Sequence, residues 1–210
     1  MARTADPQRH EAKRREMLHA ARKCFAEKGF HSTSTAEICR MAGMSPGNLF
    51  HYFPTKDAII QAIAEQDRRE TAQLFASLDP EEDAIASVIN LAEQTMLHLT
   101  DPLYAKLSLE LAAEAMRNPA IAEMFAVNDR ESSQALTALL RRGVERGEID
   151  SGLDLDRSAL WLIALVEGAI GRAAMDPGFD AGAHIDTLTK LISRFLAPRA
   201  PQAAHGGHAG

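Results

Sequence analysis

The sequence has little of what stabilises secreted or β-rich proteins. Aromatic residues make up 5% of the chain and runs of β-branched residues are absent, although strands favour both classes. Two cysteines, Cys24 and Cys39, are too few for a disulfide framework or a zinc site. We expect both to pack as small apolar side chains; redox sensing is the alternative.

Long apolar runs are also missing. No run reaches the roughly 18 residues of a membrane-spanning helix, and the N-terminus carries charges where a secretory signal has an apolar stretch. We therefore expect a cytoplasmic protein without a membrane partner.

Motifs of catalysis are absent as well. The chain shows no nucleophile elbow, no phosphate loop and no His/Glu metal motif on a helix. The sequence predicts a protein that is not an enzyme and that binds no metal or cofactor. His205 and His208 are interpreted as residues of a disordered tail (198–210) rich in Pro, Ala and Gly.

The charge is distributed unevenly along the chain. Residues 1–60 hold ten Lys and Arg against six Asp and Glu, a net charge of +4, whereas residues 61–210 hold thirteen against twenty-three, a net charge of −10. A basic segment on an acidic remainder is expected where the first segment alone meets phosphates.

Leu, Ala, Met, Glu and Arg are plentiful, which favours helices. We predict an all-α protein of about nine helices: three in an N-terminal unit, one connecting helix and five beyond it. The predicted domains are residues 11–71, residues 72–197 and the tail.

The most informative stretch runs from residue 33 to 56. Ser34 and Glu37 have the spacing of a capping box that begins a short helix, and Gly43 suits the left-handed turn that ends it. Ser45 is predicted to cap a second helix with Pro46 at its first position. Two short helices joined by a tight turn form a helix-turn-helix.

The same stretch resembles the DNA-binding signature of the TetR (tetracycline repressor) family. The run that carries the resemblance contains Ile38, Ala42, Gly43, Ser45, Gly47, Leu49, Phe50, Tyr52, Phe53 and Lys56. Three positions differ, because the family usually has Thr at 48, Tyr at 50 and an apolar residue at 35. Residues 161–179 loosely resemble the betaine-regulator branch.

The second short helix presents a polar and aromatic face suited to base edges and phosphates. Lys56 is a phosphate-contact candidate because it lies near a positive helix end and because the resemblance implies it. The DNA-contact candidates are Ser34, Thr35, Pro46, Gly47, Asn48, Phe50, His51, Tyr52 and Lys56.

Two acidic residues interrupt an apolar helix predicted over 103–116. Glu110 and Glu114 share a stripe with leucines, so they form either a narrow solvated edge or a wall of a ligand cavity. Asn128 and Ser132 on the next helix leave two alternatives open: polar groups of a pocket, or groups satisfied at a helix crossing.

The ligand pocket is predicted from the apolar faces and these polar residues. Its candidates are Phe75, Met96, Leu103, Tyr104, Leu107, Glu110, Phe125, Asn128, Ser132, Trp161 and Leu165, with Glu114, Met124 and Glu167 nearby. The polar members include carboxylates and no basic group, so we expect a largely apolar effector that is neutral or cationic.

Helices predicted over 156–175 and 184–196 carry more apolar surface than one small domain needs. Paired with their copies, they would form a four-helix bundle about a two-fold axis. The resemblance implies a homodimeric bacterial regulator, usually a repressor, that leaves a palindromic double-stranded operator when a small molecule binds. It assigns DNA binding to residues 11–71, and ligand binding and dimerisation to residues 72–197. The alternative is a DNA-bound adaptor controlled by a protein partner.

Overall fold

The computed structural model describes residues 7–199, where the chain forms nine helices and no strand. The predicted all-α fold is therefore confirmed. The helices are α1 (Pro7–Lys28), α2 (Thr35–Met41), α3 (Pro46–Tyr52), α4 (Lys56–Ala76), α5 (Ala84–His98), α6 (Pro102–Ala115), α7 (Pro119–Glu145), α8 (Leu155–Met175) and α9 (Ala181–Leu196). His205, His208 and most of the predicted tail lie outside the described residues.

Local sequence signals set most helix ends in the head, which we define as α1–α3. The capping box of α2 is present, with Ser34 and Glu37 each accepting from the other's backbone amide. Gly43 has a φ of 62°, a left-handed conformation in which glycine meets no Cβ clash. Thr55 caps α4 by accepting from the amide of Ala58. The predicted side-chain cap at Ser45 does not form, although Pro46 begins α3 as expected.

The head has its own apolar core. Phe25, Ile38 and Leu49 of the head are each 0% exposed, as is Ile63 of α4, which packs against them. Burying a side chain of this size stabilises the fold by about 1.5–3 kcal/mol relative to leaving it exposed. Because Leu49 faces inward, the opposite side of α3 is left for solvent.

The head core continues into the body, which we define as α5–α9. Leu107 and Leu111 of α6 and Ile121 of α7 belong to the same buried cluster as the head residues, and Leu103 and Phe125 pack against it. The body thus supports α1 directly, and α4 joins the two parts as a second connection.

A second core fills the body. It is built from α5, α7, α8 and α9 together with Ala105 of α6 and Ile149. The close crossing of α7 explains Gly143, since a Cβ there would lie 2.6 Å from Ile149 Cδ1. Asp180 caps α9 through the amide of Ala183, which is why this helix begins at Ala181, earlier than the predicted residue 184.

One face of α8 and α9 stays apolar and exposed. Trp161 is 70% exposed, Leu191 52% and Phe195 42%. By length and composition α8 could cross a membrane, contrary to the expectation from apolar runs, yet a single such helix is weak support for a span. An exposed apolar face of this size instead indicates a surface that another molecule covers.

Candidate functional site

The exposed side of α3 carries most of the predicted DNA-contact residues. Pro46, Gly47, Asn48, Phe50 and His51 are all exposed. The short helix therefore offers one amide, one imidazole and one aromatic ring to a binding partner. Phe50 has no hydroxyl to donate, so any contact it makes is apolar.

Tyr52 is half-buried because an imidazole of α1 covers it. The rings of His10 and Tyr52 lie 4.4 Å apart, and His51 meets Tyr52 edge-on at 5.6 Å. The N-terminal part of α1 thus holds the last turn of α3 in place. Ser34 is exposed and Thr35 is half-buried, both at the N-terminus of α2.

Lys56, predicted as a phosphate contact, binds backbone carbonyls within the head. Its Nζ donates to the carbonyl oxygens of Phe30 and Thr33 at 2.7 and 3.1 Å and lies 4.4 Å from the centre of the Phe30 ring. A charge near the start of α4 is compensated here by carbonyls of the α1–α2 loop, which sequence spacing could not show. The geometry makes Lys56 a clamp on that loop.

The capping box has a charged neighbour that the sequence did not reveal. Lys28 at the end of α1 binds the Glu37 carboxylate, and this hydrogen bond holds the pKa of Glu37 at about 2. The carboxylate therefore stays ionised and keeps accepting from Ser34 until the pH falls far below neutral.

Helix α4 and the body line a half-open cavity of about 670 Å³. This volume lies within the range of ligand sites, roughly 300–1,000 Å³. Apolar residues form most of the wall, among them Phe75, Val88, Leu91, Ile163, Val166 and Ile170. Polar groups also line it, among them Asp67, Glu70, Thr95, His98, Tyr104, Ser132 and Glu167.

Several predicted pocket residues line this cavity. They are Phe75, Tyr104 and Ser132, with Glu167 beside them. For Ser132 the pocket alternative is the one that the geometry supports. Burial raises the pKa of Tyr104 and of Glu167 above their ordinary values.

Other predicted pocket residues lie elsewhere, because periodicity identifies a helix face without naming its neighbour. Leu103, Leu107 and Phe125 pack in the head core. Met96, Trp161 and Leu165 line a groove on α8 and α9, and Asn128 is not part of the cavity wall. These residues therefore do not line the cavity that contains Phe75, Tyr104 and Ser132.

Glu110 and Glu114 fit neither of the two interpretations drawn from the sequence. Glu110 accepts from the backbone amide of Phe30 at 3.1 Å. Glu114 is 5% exposed, and its Oε2 lies 3.0 Å from Nε2 of His31, too poorly aligned for a hydrogen bond. Both carboxylates face the end of α1, so they belong to the contact between head and body.

Asp67, Glu70 and His98, which form the polar end of the cavity, were not identified from the sequence. On α4, residues 67, 70, 71 and 74 follow one another at helical spacing and all line the cavity. That stripe was available from the sequence, since Asp67 and Glu70 continue a face that ends at Leu74. The neighbouring α5 contributes His98, whose ring lies 5.2 Å from that of Tyr104.

Asp67 also connects the cavity to the head. Nη2 of Arg22, on α1, lies 2.6 Å from Oδ1 of Asp67. Burial raises the pKa of Asp67, and the opposing charge and hydrogen bond of Arg22 favour its ionised form. The two residues are 45 positions apart, so no local sequence signal marks the pair.

The groove on α8 and α9 is a second concavity, of about 690 Å³. Its lining is almost entirely apolar and includes Trp161, Leu165, Leu188, Leu191 and Phe195. Leu188 is 7% exposed and belongs to the body core, whereas Leu191 points outward.

No cluster of His, Cys, Asp or Glu suited to a metal occurs among residues 7–199. Cys24 and Cys39 are buried, free thiols.

The chain matches two family descriptions. Residues 17–63 match "Bacterial regulatory proteins, tetR family", and residues 91–197 match "BetI-type transcriptional repressor, C-terminal". The transcriptional regulator UidR of Escherichia coli K12 is 31% identical over 159 residues, covering 75% of this chain and 79% of UidR.

Solved structures share the fold. Salmonella enterica GusR has a TM-score of 0.74 at 31% identity and covers 92% of this chain and 98% of its own. A transcriptional regulator from Saccharomonospora viridis in complex with choline has a TM-score of 0.77 at 23% identity, with 90% and 100% covered. The curated relatives are named regulators or repressors rather than enzymes. With a helix-turn-helix in the head and a BetI-type body, this chain belongs to the TetR family of bacterial transcriptional regulators.

Proposed function

We propose that the protein is a homodimeric repressor, located in the cytoplasm, that leaves a palindromic operator when a small molecule occupies the body cavity. The observation that carries the proposal is the position of α4. Its first residue, Lys56, is fixed in the head, while Asp67, Glu70 and Leu74 in its second half line the cavity. If a ligand binds better when this helix takes another position, ligand binding must change the affinity for the operator, because the two equilibria are coupled.

The cavity favours a small-molecule sensor over a protein-controlled adaptor, since an adaptor needs no internal space. Its mostly apolar wall suits a largely apolar ligand. The charged residues of the lining are Asp67, Glu70 and Glu167, and it includes no lysine or arginine. A neutral or cationic ligand therefore fits better than an anion. Choline in the related S. viridis structure is a small cation of this kind.

The apolar groove supports a dimer. A second copy that brings its own α8 and α9 would cover Trp161, Leu165, Leu191 and Phe195 about a two-fold axis. A dimer is also what a palindromic site requires, because two recognition helices must reach half-sites about 34–36 Å apart.

Asn48→Ala tests the reading role of α3. Asn48 is exposed, and an amide can bind the edge of adenine with both of its polar atoms. Loss of this contact should relax the preference at one base position in each half-site, by about 1–3 kcal/mol. The measurement is selection from a randomised duplex pool. Asn128→Ala, a change of the same size in the body, should leave the selected sequence unchanged; an unchanged sequence for Asn48→Ala would remove this residue from base reading.

Ser132→Trp tests the cavity. The added ring would occupy space that the ligand needs, since Ser132 is half-buried and lines the wall. We expect operator affinity to be retained and ligand-driven release to weaken at least about tenfold, a loss of about 1.4 kcal/mol of binding. Release is followed by fluorescence anisotropy of labelled operator.

Gln134→Trp is the matched control, because Gln134 is exposed on the same helix and outside the cavity. It should behave as the wild type. A Ser132→Trp protein that still responds fully to effector would place the ligand elsewhere.

A further inference from the structure

We propose that the Asp67 carboxylate is the subsite for the positive group of an amphipathic cation, and that this cation displaces Arg22 of the head. The inference rests on the proposed function, because it assigns a ligand class and a switching contact to the same cavity. Ligand binding would then break the ion pair that ties α1 to α4.

The first support is the placement of Asp67. Its side chain is 36% accessible and lies in the wall of the cavity, while Nη2 of Arg22, which is not part of that wall, lies 2.6 Å from its Oδ1. The Asp67 carboxylate thus faces the cavity and also forms an ion pair with α1 of the head.

The second support is the chemistry around it. The titratable groups near Asp67 are Arg22 of α1, Glu70 of α4, His98 of α5 and Tyr104 of α6. Apart from Arg22 these are acidic, phenolic or imidazole groups, so an entering cation finds a negative end with aromatic faces. An apolar tail would lie along the aliphatic part of the wall.

The ligand cation and Arg22 should compete for Asp67, because one carboxylate can balance only one positive charge. A single carboxylate in a partly buried site compensates one cation, and a second cation beside it would remain unpaired at low effective dielectric. Arg22, whose side chain is 21% exposed, would have to turn to solvent. The head would then lose this ion pair with α4, while the packing of α1 on α6 and the hydrogen bond from the amide of Phe30 to Glu110 would remain.

The competition predicts opposite effects for the two partners of one ion pair. Arg22→Gln frees Asp67 for the ligand, so the affinity for the cation should rise. Asp67→Asn removes the subsite, so that affinity should fall. Each change should be about tenfold, as for loss of one charge pair worth about 1.4 kcal/mol. A merely structural ion pair would move both variants in the same direction.

The probes are decyltrimethylammonium, 1-decanol and decanoate below their aggregation concentrations, which share a ten-carbon chain and differ in head charge. Affinity is measured by calorimetry on the full-length protein, and operator release by anisotropy. Arg69→Gln is the control, because it removes a positive charge from the exposed side of α4, where Arg69 binds Glu65. Thermal unfolding checks that each variant is folded.

The expected result is tightest binding of the cation, strengthened by Arg22→Gln, weakened by Asp67→Asn and unchanged by Arg69→Gln. Without ligand, both pair variants should bind operator more weakly and to a similar extent, and the double variant no more weakly than either. Three results would overturn the inference: no binding of the cation, tighter binding of decanoate, or equal cation affinity in wild type, Arg22→Gln and Asp67→Asn. Release by decanol or decanoate would leave the proposed sensor intact, whereas a wild-type protein that binds no operator would remove the proposed function itself.

Discussion

Leu191→Glu should convert the protein from a dimer to a monomer and abolish operator binding. Leu191 is 52% exposed in the single chain and lies in the apolar groove of α8 and α9. In a bundle formed by two copies it would be buried, and an unpaired carboxylate there is costly. The monomer keeps an intact head but contacts one half-site only. Sedimentation velocity and operator titration measure the two effects.

The exposed position makes Leu191 a better test than Leu188. Leu188 is 7% exposed and packs in the body core, so Leu188→Glu would damage the protomer itself. Met116→Glu is the matched control, because Met116 is 81% exposed and outside the groove. It should leave the dimer intact. A dimeric Leu191→Glu protein would require an interface on another face.

Lys56→Ala should lower the free energy of unfolding by about 1–3 kcal/mol, because it leaves buried or half-buried carbonyls without their charged donor. The affected carbonyls are those of Phe30 and Thr33, which shape the loop between α1 and α2. Operator affinity should fall as a consequence of a less rigid head. Urea unfolding measures the loss of stability.

The salt dependence of operator binding separates a clamp from a phosphate contact. Loss of one phosphate contact reduces the slope of log affinity against log salt by roughly one unit. If Lys56 acts chiefly as a clamp, its slope should stay close to that of Lys23→Ala, which removes an exposed charge from α1. A stable Lys56→Ala protein with a shallower slope would instead place the ammonium on DNA.

The sequence alone predicted those features of the fold that depend on residues close together in the chain. The capping box of Ser34 and Glu37, the left-handed Gly43 and the cap at Thr55 depend on neighbours in the chain. For the same reason the order of the helices could be predicted from Pro, Gly and Asp positions together with apolar periodicity.

The sequence alone could not predict which other helix each helix face contacts. Glu110 lies on the predicted stripe of α6, but that stripe meets the end of α1 and not the cavity. Trp161, expected in the pocket, lines the groove on α8 and α9, so in the proposed dimer its fluorescence would report on association more directly than on ligand. The Arg22–Asp67 pair depends on two distant helices and has no local pattern.

The most direct measurement is footprinting of the protein on the DNA upstream of its own coding sequence, with and without an effector found by operator release. We predict protection of a two-fold symmetric site whose halves lie about 34–36 Å apart. Protection should disappear in Leu191→Glu and on addition of effector, and it should resist effector in Ser132→Trp. Protection of a single half-site by a monomer, or no sequence-specific protection on any DNA obtained by selection, would contradict a dimeric, ligand-released repressor.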